Sequence, residues 1–491
     1  MLKRLAVHVT NYSLGSVLVV IAGLISFPIF TRAFSLEQYG VMSVISTTLL
    51  LATVAGKFGM QHSIVRFYAE LRAGKFSETE DQFFSTVVLG LAAVGSAVSV
   101  LWLIASQLIP ESWWGHDGVR GLFALTAGLI AIRVVDSALV NLMRAQQRSG
   151  WYSIYNVARR YGVLLSTLLA VFLIFPGLEG FFGGTLVAEL LATAWLGYLL
   201  LRRRQISLGN VSARLLKSMA LFGVPMVAYE LGAVVLNLGD RYVIQSVMGA
   251  AALGAYSAAY NMCEYVESIL VAAFSQAISP MYTRMWEEQG KEATRAFIER
   301  VVHFYVVFAV AIVTCMCLVG ADLLILLASQ KYAPGAVIIP VVIAAMAIAG
   351  SMSFLAAGLY LAKQTKLLML LLVGCAIFNI ALNVVLIPAY GLMGAAVATL
   401  ASYVALCSAA AWLGSRTLPI SVPLLSLCKF SLCGVAAYFA AHWSISTVSA
   451  LGIVEKIAVG AVVYVAAVLF VDHQCRHLAH MAWSRLRPVS G

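Results

Sequence analysis

The chemically informative residues of this chain are charged side chains inside long hydrophobic segments. Lys57, Arg133 and Arg241 each interrupt a run of apolar residues that is long enough to form a membrane helix. A charged side chain at the centre of such a helix costs about 2.5–3.5 kcal/mol on insertion scales. Charged residues in that setting face a hydrated cavity or a partner of opposite charge, so these three cations are candidates for binding an anionic ligand.

Two acidic residues lie in the same kind of segment. Arg133 and Asp136 are three residues apart and share one helical face. They would either neutralise each other or line a hydrated cavity together, and both interpretations stay open. Glu189 has no basic residue near it in its own segment and is expected to pair across helices. Asp136 and Glu189 are therefore candidates for coupling or gating.

A second polar set lies between residues 229 and 267. Two groups of three residues are spaced as neighbours on one helical face: Glu230, Asn237 and Arg241, and Tyr260, Glu264 and Glu267. The two acids of the second group are close enough to serve as a proton site, or are ordinary polar residues of a helix. Asp240 and Arg241 are alternatively an interfacial salt bridge.

The elements that position these residues are about fourteen hydrophobic segments separated by short loops. Each segment approaches the roughly 20 apolar residues that a helix needs to cross a bilayer. The chain is 62% hydrophobic and 11% charged, which leaves no room for a separate soluble domain. The sequence therefore predicts an all-α polytopic membrane protein whose first span is retained rather than cleaved as a signal peptide.

Basic residues collect in alternate loops. With a cytoplasmic N-terminus, most of the 32 Lys and Arg fall in cytoplasmic segments. The external loops contain only Arg32, Arg120, Lys331 and Lys456. The positive-inside rule then predicts that both termini are cytoplasmic. The same distribution accounts for the net charge of +11 without nucleic acid as a partner.

Two pairs of short sequences indicate an internal duplication. QYGVMSVIST matches ALGAYSAAYN when Gly40 is placed on Gly254, an offset of 214 residues. PGLEGFFGGTLV matches PAYGLMGAAVAT when Gly180 is placed on Gly391, an offset of 211 residues. We therefore expect two six-helix lobes with the same orientation, related by a pseudo-two-fold axis along the membrane normal. The predicted divisions are an N-terminal lobe at 1–201, a cytoplasmic linker at 202–218, a C-terminal lobe at 219–414, and two extra helices with a cytoplasmic tail at 415–491.

Motifs of enzymes and metal sites are missing from the sequence. There is no HExxH, no GxSxG and no Walker A motif, so we expect no catalytic activity. No Cys/His spacing resembles a zinc or iron–sulfur site. His473 and His477, which flank Cys475, are expected to form an ordinary polar turn. The sequence predicts no cofactor and no metal.

Three stretches resemble bacterial polysaccharide flippases, a family of the multidrug/oligosaccharidyl-lipid/polysaccharide exporter superfamily. Residues 11–43 are similar to the first two helices of that family, and residues 383–402 to its eleventh-to-twelfth junction. Residues 221–262, which include Asp-Arg at 240–241, are similar to its seventh and eighth helices. The resemblance becomes diffuse after Trp412.

The resemblance implies a function as well as a fold. It implies two lobes around a central cavity that move an undecaprenyl-pyrophosphate-linked oligosaccharide from the cytoplasmic to the periplasmic leaflet of the bacterial inner membrane. Alternating access would serve O-antigen, capsule or exopolysaccharide synthesis, with H⁺ or Na⁺ as coupling ion and a polymerase and glycosyltransferase complex as partners. An ion-coupled multidrug antiporter of the same superfamily and a non-transporting scaffold are the alternatives.

The candidate residues take three roles in this interpretation. Lys57, Arg133 and Arg241 would bind the pyrophosphate, with Arg66 as the first contact at the cytoplasmic mouth. The expected contacts to sugar hydroxyls are Asn237, Tyr229 and Tyr260. The expected coupling or gating residues, which would pair with the cations of the empty site or take up protons, are Asp136, Glu189, Glu230, Glu264 and Glu267.

Overall fold

Helices form the regular secondary structure of the residues that the structure describes. The computed structural model describes residues 2–108, 110, 119–421, 423–444, 449–477 and 480, with the backbone alone at 2–14, 269–277, 279–280 and 444. The α-helices are α1 Leu2–Ala33, α2 Leu36–Lys57, α3 Met60–Arg72, α4 Glu80–Leu108, α5 Val119–Ala145, α6 Ser149–Leu169, α7 Leu178–Leu201, α8 Ala213–Leu238, α9 Asp240–Ala328, α10 Ile339–Gly350, α11 Met352–Leu355, α12 Ala357–Leu361, α13 Thr365–Gly414, α14 Leu424–Ser444 and α15 Ala450–Val471. The predicted all-α fold is confirmed for this part of the chain.

Twelve helical stretches of the described chain are long and apolar enough to cross a membrane. The two longest, Ala213–Ser268 and Thr365–Gly414, contain 56 and 50 residues. At about 1.5 Å per residue, each is more than twice as long as the roughly 30 Å hydrocarbon core. Each also contains a glycine with positive φ, Gly249 at 83° and Gly391 at 58°, where the chain changes direction. Two crossings in each of these stretches agree with the predicted number of about fourteen spans.

The second predicted span is divided near its end. Ser35 and Gln38 form a capping box that starts α2. The backbone nitrogen of Gln38 lies 3.1 Å from Ser35 Oγ, and that of Ser35 lies 3.0 Å from Gln38 Oε1. The helix ends at Lys57 because Phe58 and Gly59 adopt left-handed φ angles of 50° and 67°. Gly59 packs so closely on Gly223 that a Cβ there would overlap the Gly223 carbonyl. Lys57 therefore lies at a helix terminus rather than within a helix.

The helices form two compact units. The first unit contains Met1–Ser257 and Met369–Ala395, and the second contains Ala258–Leu368 and Ala396–Gly491. α9 and α13 each contribute residues to both units. These two units are defined by which residues pack together. The predicted boundaries at 202–218 and 414 instead divide the two copies of the duplication, and they stay a prediction.

The two segments matched by the first sequence repeat pack against each other inside the first unit. A Cβ at Gly40 would overlap the carbonyl oxygen of Ala250, and a Cβ at Gly254 would overlap that of Leu36. The two contacts are reciprocal, because Leu36 precedes Ala250, and Gly40 precedes Gly254, by the same number of residues. A two-fold axis between equivalent helices produces this kind of reciprocity.

The offset of 214 residues also gives the correct alignment of the second pair of repeated sequences. The hydroxyl oxygens of Ser43 and Ser257, 214 residues apart, are 2.8 Å from each other. Gly177 (φ 98°, ψ −157°) and Gly391 (φ 58°, ψ −139°) are separated by the same interval and share a backbone region that L side chains rarely adopt. Gly177 rather than Gly180 is therefore the counterpart of Gly391. The offset of 211 residues was wrong by three, and GLEG aligns with GLMG.

Candidate functional site

Three helices of the first unit bring six polar side chains together, and we call this group the charged cluster. Each helix contributes two residues that lie one turn apart and so share a face. The members are Arg133 and Asp136 from α5, Tyr155 and Arg159 from α6, and Glu189 and Thr193 from α7.

The ions of the charged cluster pair between helices. Arg133 donates from Nε to Glu189 Oε2 at 2.8 Å and from Nη2 to Oε1 at 3.1 Å. Arg159 Nη1 lies 3.2 Å from Asp136 Oδ2 and 3.9 Å from Glu189 Oε1. Glu189 thus pairs across helices, as expected. Arg133 and Asp136 do not neutralise each other directly, because each has a partner on another helix.

The acids of the charged cluster are buried and its cations are partly accessible. The Tyr155 hydroxyl donates to Asp136 Oδ1, and Thr193 Oγ1 lies 3.5 Å from the same atom. The side chains of Asp136 and Glu189 are only 7% and 8% exposed. Those of Arg133 and Arg159 are 28% and 29% exposed. The accessible surface of the cluster is therefore cationic.

Both guanidinium groups retain donors for a further ligand. Arg133 uses Nε and Nη2 in its ion pair, and Arg159 uses Nη1. Their remaining N–H groups bind no other residue of the described chain. Planar N–H groups of arginine match pairs of phosphate or carboxylate oxygens. The charged cluster can therefore bind an anion without first losing its internal ion pairs.

Lys57 adds a cation beside the charged cluster. Among the described residues its ammonium group has no carboxylate within ion-pair distance. The charges of the two arginines and the two acids of the cluster cancel, so the amino group at the end of α2 supplies the excess positive charge. The groups that interact with it electrostatically are Glu230, Arg133, Asp136 and Arg159.

The contact between α3 and α8 occupies the carboxylate of Glu230. Gln61 donates its side-chain amide to Glu230 Oε1, and His62 Nε2 lies 2.6 Å from the same oxygen. Glu230 is therefore held by two residues of α3 and acts on Lys57 only at longer range.

The other candidates on α3 and α8 are exposed. Arg66 pairs with Glu70 at 2.9 Å and lies 4.6 Å above the ring of Phe222. Tyr229 and Asn237 both expose their side chains. These three residues belong to the same unit as the charged cluster.

Arg241 takes part in helix packing. It is 6% exposed, and its Nη1 donates to Thr47 Oγ1 of α2 at 3.3 Å. The neighbouring Asp240 is 2% exposed and accepts a hydrogen bond from the Tyr256 hydroxyl. The two side chains are therefore buried and do not form an exposed interfacial salt bridge. The expectation that Arg241 binds the substrate therefore rests on the sequence alone.

The remaining candidates belong to the second unit. Tyr260 is buried, Glu264 is exposed, and Glu267 is half-buried and interacts electrostatically with Glu264. The expected set of site residues is thus divided between two units. The structure assembles Lys57, Arg133, Asp136 and Glu189 into one region.

Arg159 is a functional candidate that the sequence analysis missed. It is not named among the candidate cations of the sequence analysis. In the structure α6 begins at Ser149, so Arg159 lies ten residues, or about 15 Å, along the helix. Arg159 lies within Ser149–Ile174, one of the twelve long apolar stretches, and this position is the signal that could have identified it.

The second unit contains an apolar cavity of about 870 Å³. Its walls come from α9, α10, α13 and α14, and include Tyr305, Ala344, Ala347, Cys407 and Tyr438. Tyr305 donates its hydroxyl to the Ala347 carbonyl at 2.6 Å, so this polar group of the wall is already satisfied. The cavity suits hydrocarbon rather than a charged ligand.

Comparison with known proteins gives a family and a fold. The model of the polysaccharide biosynthesis protein family matches residues 6–286. No curated protein matches the chain by sequence. A structure described as lipid II flippase MurJ in an inward closed conformation is 16% identical, with a TM-score of 0.75 over 94% of this chain and 98% of that chain. An inward-facing multidrug resistance MATE family transporter is 13% identical, with a TM-score of 0.67 over 81% of this chain and 94% of that chain.

Proposed function

This chain belongs to the polysaccharide biosynthesis protein family, and we propose that it is a flippase for an undecaprenyl-pyrophosphate-linked oligosaccharide. It is a multi-pass membrane protein with the fold of flippases and transporters rather than of enzymes. The observation that carries the proposal is the position of Lys57 beside Arg133 and Arg159. Lys57 adds one uncompensated positive charge next to two partly exposed guanidinium groups, and this arrangement supports binding of an anionic pyrophosphate head group.

The proposed substrate needs such a region. Moving ionised phosphates through hydrocarbon without compensation is prohibitively costly. The unused N–H groups of Arg133 and Arg159 and the ammonium group of Lys57 would replace the water around the phosphate oxygens. Asp136 and Glu189 would hold the guanidinium groups in place before and after the substrate passes. The cationic region would then select for an anionic head group.

The polyprenyl tail and the glycan would follow different routes. The tail would stay in lipid or in apolar parts of the protein, such as the 870 Å³ cavity of the second unit. Tyr229 and Asn237, which are exposed, are the proposed partners of sugar hydroxyls. The expectation for Tyr260 is wrong, because that side chain is buried. Alternation between two access states, as in carriers built from repeated halves, would expose the head group first to the cytoplasm and then to the periplasm.

Lys57→Gln tests this proposal most directly. The substitution removes the cation but keeps a polar side chain, and one charge-assisted contact is worth about 1.5–3 kcal/mol, or roughly 10- to 100-fold. We expect the purified variant in proteoliposomes to flip a labelled lipid-linked pyrophosphate glycan at least tenfold more slowly. Arg284→Gln, which removes an exposed cation paired with Glu288, should flip at the normal rate. Unchanged flipping by Lys57→Gln would remove this region from the mechanism.

The same proteoliposomes distinguish the alternatives. A multidrug antiporter would move organic cations, but the accessible charges of the cluster are positive and would repel them. A non-transporting scaffold would move neither class of substrate. We therefore expect glycan flipping by the protein alone and no transport of cationic dyes. Dye transport without flipping would favour the antiporter.

Coupling to a cation is part of the proposal. Asp240 Oδ1 and Asn383 Oδ1 are buried and accept no hydrogen bond from a described residue. A buried carboxylate oxygen without a donor is suited to binding Na⁺ or H⁺, and a buried amide oxygen is suited to binding Na⁺. Asp240→Asn should abolish the dependence of flipping on an inward ion gradient while leaving slow, gradient-independent flipping. Full gradient dependence in that variant would exclude Asp240 as the coupling site.

We also propose a bacterial inner membrane location with both termini in the cytoplasm, and a pathway of O-antigen, capsule or exopolysaccharide synthesis. The unequal distribution of Lys and Arg between alternate loops supports the orientation. Reporter fusions at the two termini should both show cytoplasmic activity. A periplasmic signal at either end would contradict the orientation.

A further inference from the structure

Three side chains of the second unit converge near the C-terminus of the described chain. They are His303 on α9, Asp472 directly after α15, and Cys475 in the following turn. One potential ligand atom of each lies within 4.8 Å of the other two. Histidine nitrogen, carboxylate oxygen and cysteine sulfur are the three ligand types that zinc binds in proteins.

The spacing of His303 and Asp472 is compatible with a metal between them, although Asp472 Oδ1 also accepts the backbone N–H of Cys475 at 2.8 Å. His303 Nε2 and Asp472 Oδ1 are 3.4 Å apart. A charge-assisted hydrogen bond would be shorter, at about 2.7–2.9 Å. Two ligands on a tetrahedral zinc ion with bonds of about 2.0–2.1 Å are about 3.3 Å apart, which matches the observed distance. The Cys475 sulfur lies within 4.8 Å of both atoms, so it would have to move closer to join them as a ligand.

Surrounding contacts orient the ligands. His303 Nδ1 lies 3.1 Å from Ser426 Oγ on α14. When Nδ1 donates to this hydroxyl, Nε2 presents its lone pair towards Asp472, and metal-bound histidines are generally held in this way. Ring contacts with Phe304 and Phe430, at centroid distances of 5.4 and 5.3 Å, fix the plane of the imidazole.

The carboxylate and the thiol lie outside the membrane segments and are in different charge states. Burial alone would raise the pKa of Asp472, but hydrogen bonds from Cys475 and the nearby His303 hold it below its usual range, so the group is an anion. Burial, together with Asp472, raises the pKa of the Cys475 thiol to about 12. A divalent cation reverses that preference because it binds the thiolate directly.

We propose that His303, Asp472 and Cys475 form a structural zinc site that fastens the turn after α15 to α9. Cys475 also packs on the apolar cluster between α14 and α15, so the ion would join three helices of the second unit. Water or a neighbouring side chain completes the fourth position. Because the site is separate from the charged cluster, it does not depend on the proposed transport activity.

Metal analysis of the full chain tests the proposal. Protein purified through a tag without histidine, stripped with a chelator and dialysed against Zn²⁺ should retain one zinc per chain. Co²⁺ in place of Zn²⁺ should give the thiolate-to-cobalt charge-transfer absorption. Cys475→Ser and His303→Gln should weaken Zn²⁺ binding by on the order of 100-fold or more, because each loses a direct ligand.

Two matched variants control for other cysteines and histidines. Cys428→Ser changes an exposed cysteine of α14, and His473→Gln with His477→Gln changes exposed histidines of the same turn. Both should bind zinc normally. Wild-type protein without zinc above background would overturn the proposal, and so would binding that survives Cys475→Ser but is lost with His473 and His477.

A measurement on the unaltered chain covers the case in which the variants do not fold. Zinc should protect Cys475 from alkylation while Cys428 stays reactive, as read by mass spectrometry of the labelled peptides. It should also raise the unfolding temperature of the wild type in detergent. Equal labelling of Cys475 with and without zinc would overturn the proposal.

Discussion

The two duplicated halves differ in the polarity of the side chains that they place at equivalent positions. Arg133 and Thr193 of the charged cluster have counterparts 214 residues later at Ala347 and Cys407. Both counterparts line the apolar cavity of the second unit. At these two positions the first half therefore places an arginine and a threonine where the second half places small side chains of the cavity wall.

This difference shows that the fold does not require the ion pairs. The second half packs the equivalent helices without them, and buried ion pairs are in general weak contributors to stability compared with apolar packing. The charges of the first half are therefore better explained by a ligand than by architecture. In the proposed flippase, the charged half would serve the pyrophosphate and the apolar half the hydrocarbon.

The largest expected effect comes from removing one member of a cross-helix ion pair. Arg159→Met leaves the buried Asp136 carboxylate with Tyr155 and Thr193 as its remaining contacts. Breaking a buried pair in this way costs about 3–5 kcal/mol because an uncompensated charge stays buried. We expect a correspondingly lower unfolding temperature in detergent.

A second substitution distinguishes architecture from function at this site. Arg159→Met combined with Asp136→Asn removes both charges and should recover most of the lost stability, since no unpaired ion remains. Flipping should stay low in this double variant. Recovery of both stability and flipping would mean that the charges serve packing alone.

The next effect concerns the apolar half. Ala344→Arg places a cation in the wall of the 870 Å³ cavity, at a cost of about 2.5–3.5 kcal/mol on insertion scales. Ala344→Leu is the matched control and should be neutral or slightly stabilising, because the cavity has space for the added carbons. Thermal unfolding of both variants measures the difference. Equal stabilities would show that the cavity is hydrated and that the contrast between the halves is false.

The last prediction tests the symmetry on which the comparison rests. Gly40→Ala and Gly254→Ala each push a methyl group into a backbone carbonyl of the other repeat. Each should cost at least the roughly 1–3 kcal/mol of ordinary overpacking, because a backbone carbonyl has to move, and the two costs should be similar because the contacts are reciprocal. Gly183→Ala on α7, where no atom lies within 4 Å of the added Cβ, should not destabilise. Clearly unequal costs at Gly40 and Gly254 would argue against a local two-fold axis.

The sequence by itself determined the helical class, the approximate number of spans and the existence of a repeat. These properties depend on hydrophobic length and on glycines at close helix contacts, and both are readable along the chain. The sequence also located Lys57, Arg133, Asp136 and Glu189, because ionisable residues in long apolar runs are conspicuous. The register of the second repeat required the backbone angles of Gly177 and Gly391.

Only the tertiary structure decided which charges meet. Asp136 is a close neighbour of Arg133 on its own helix, yet it pairs with Arg159, because a guanidinium group from a facing helix reaches the carboxylate directly. His303 and Asp472 are 169 residues apart in the sequence, and they too come into contact because their helices pack together. Spacing along one helix fixes the face on which a side chain lies, whereas its partner depends on how neighbouring helices are packed against that face.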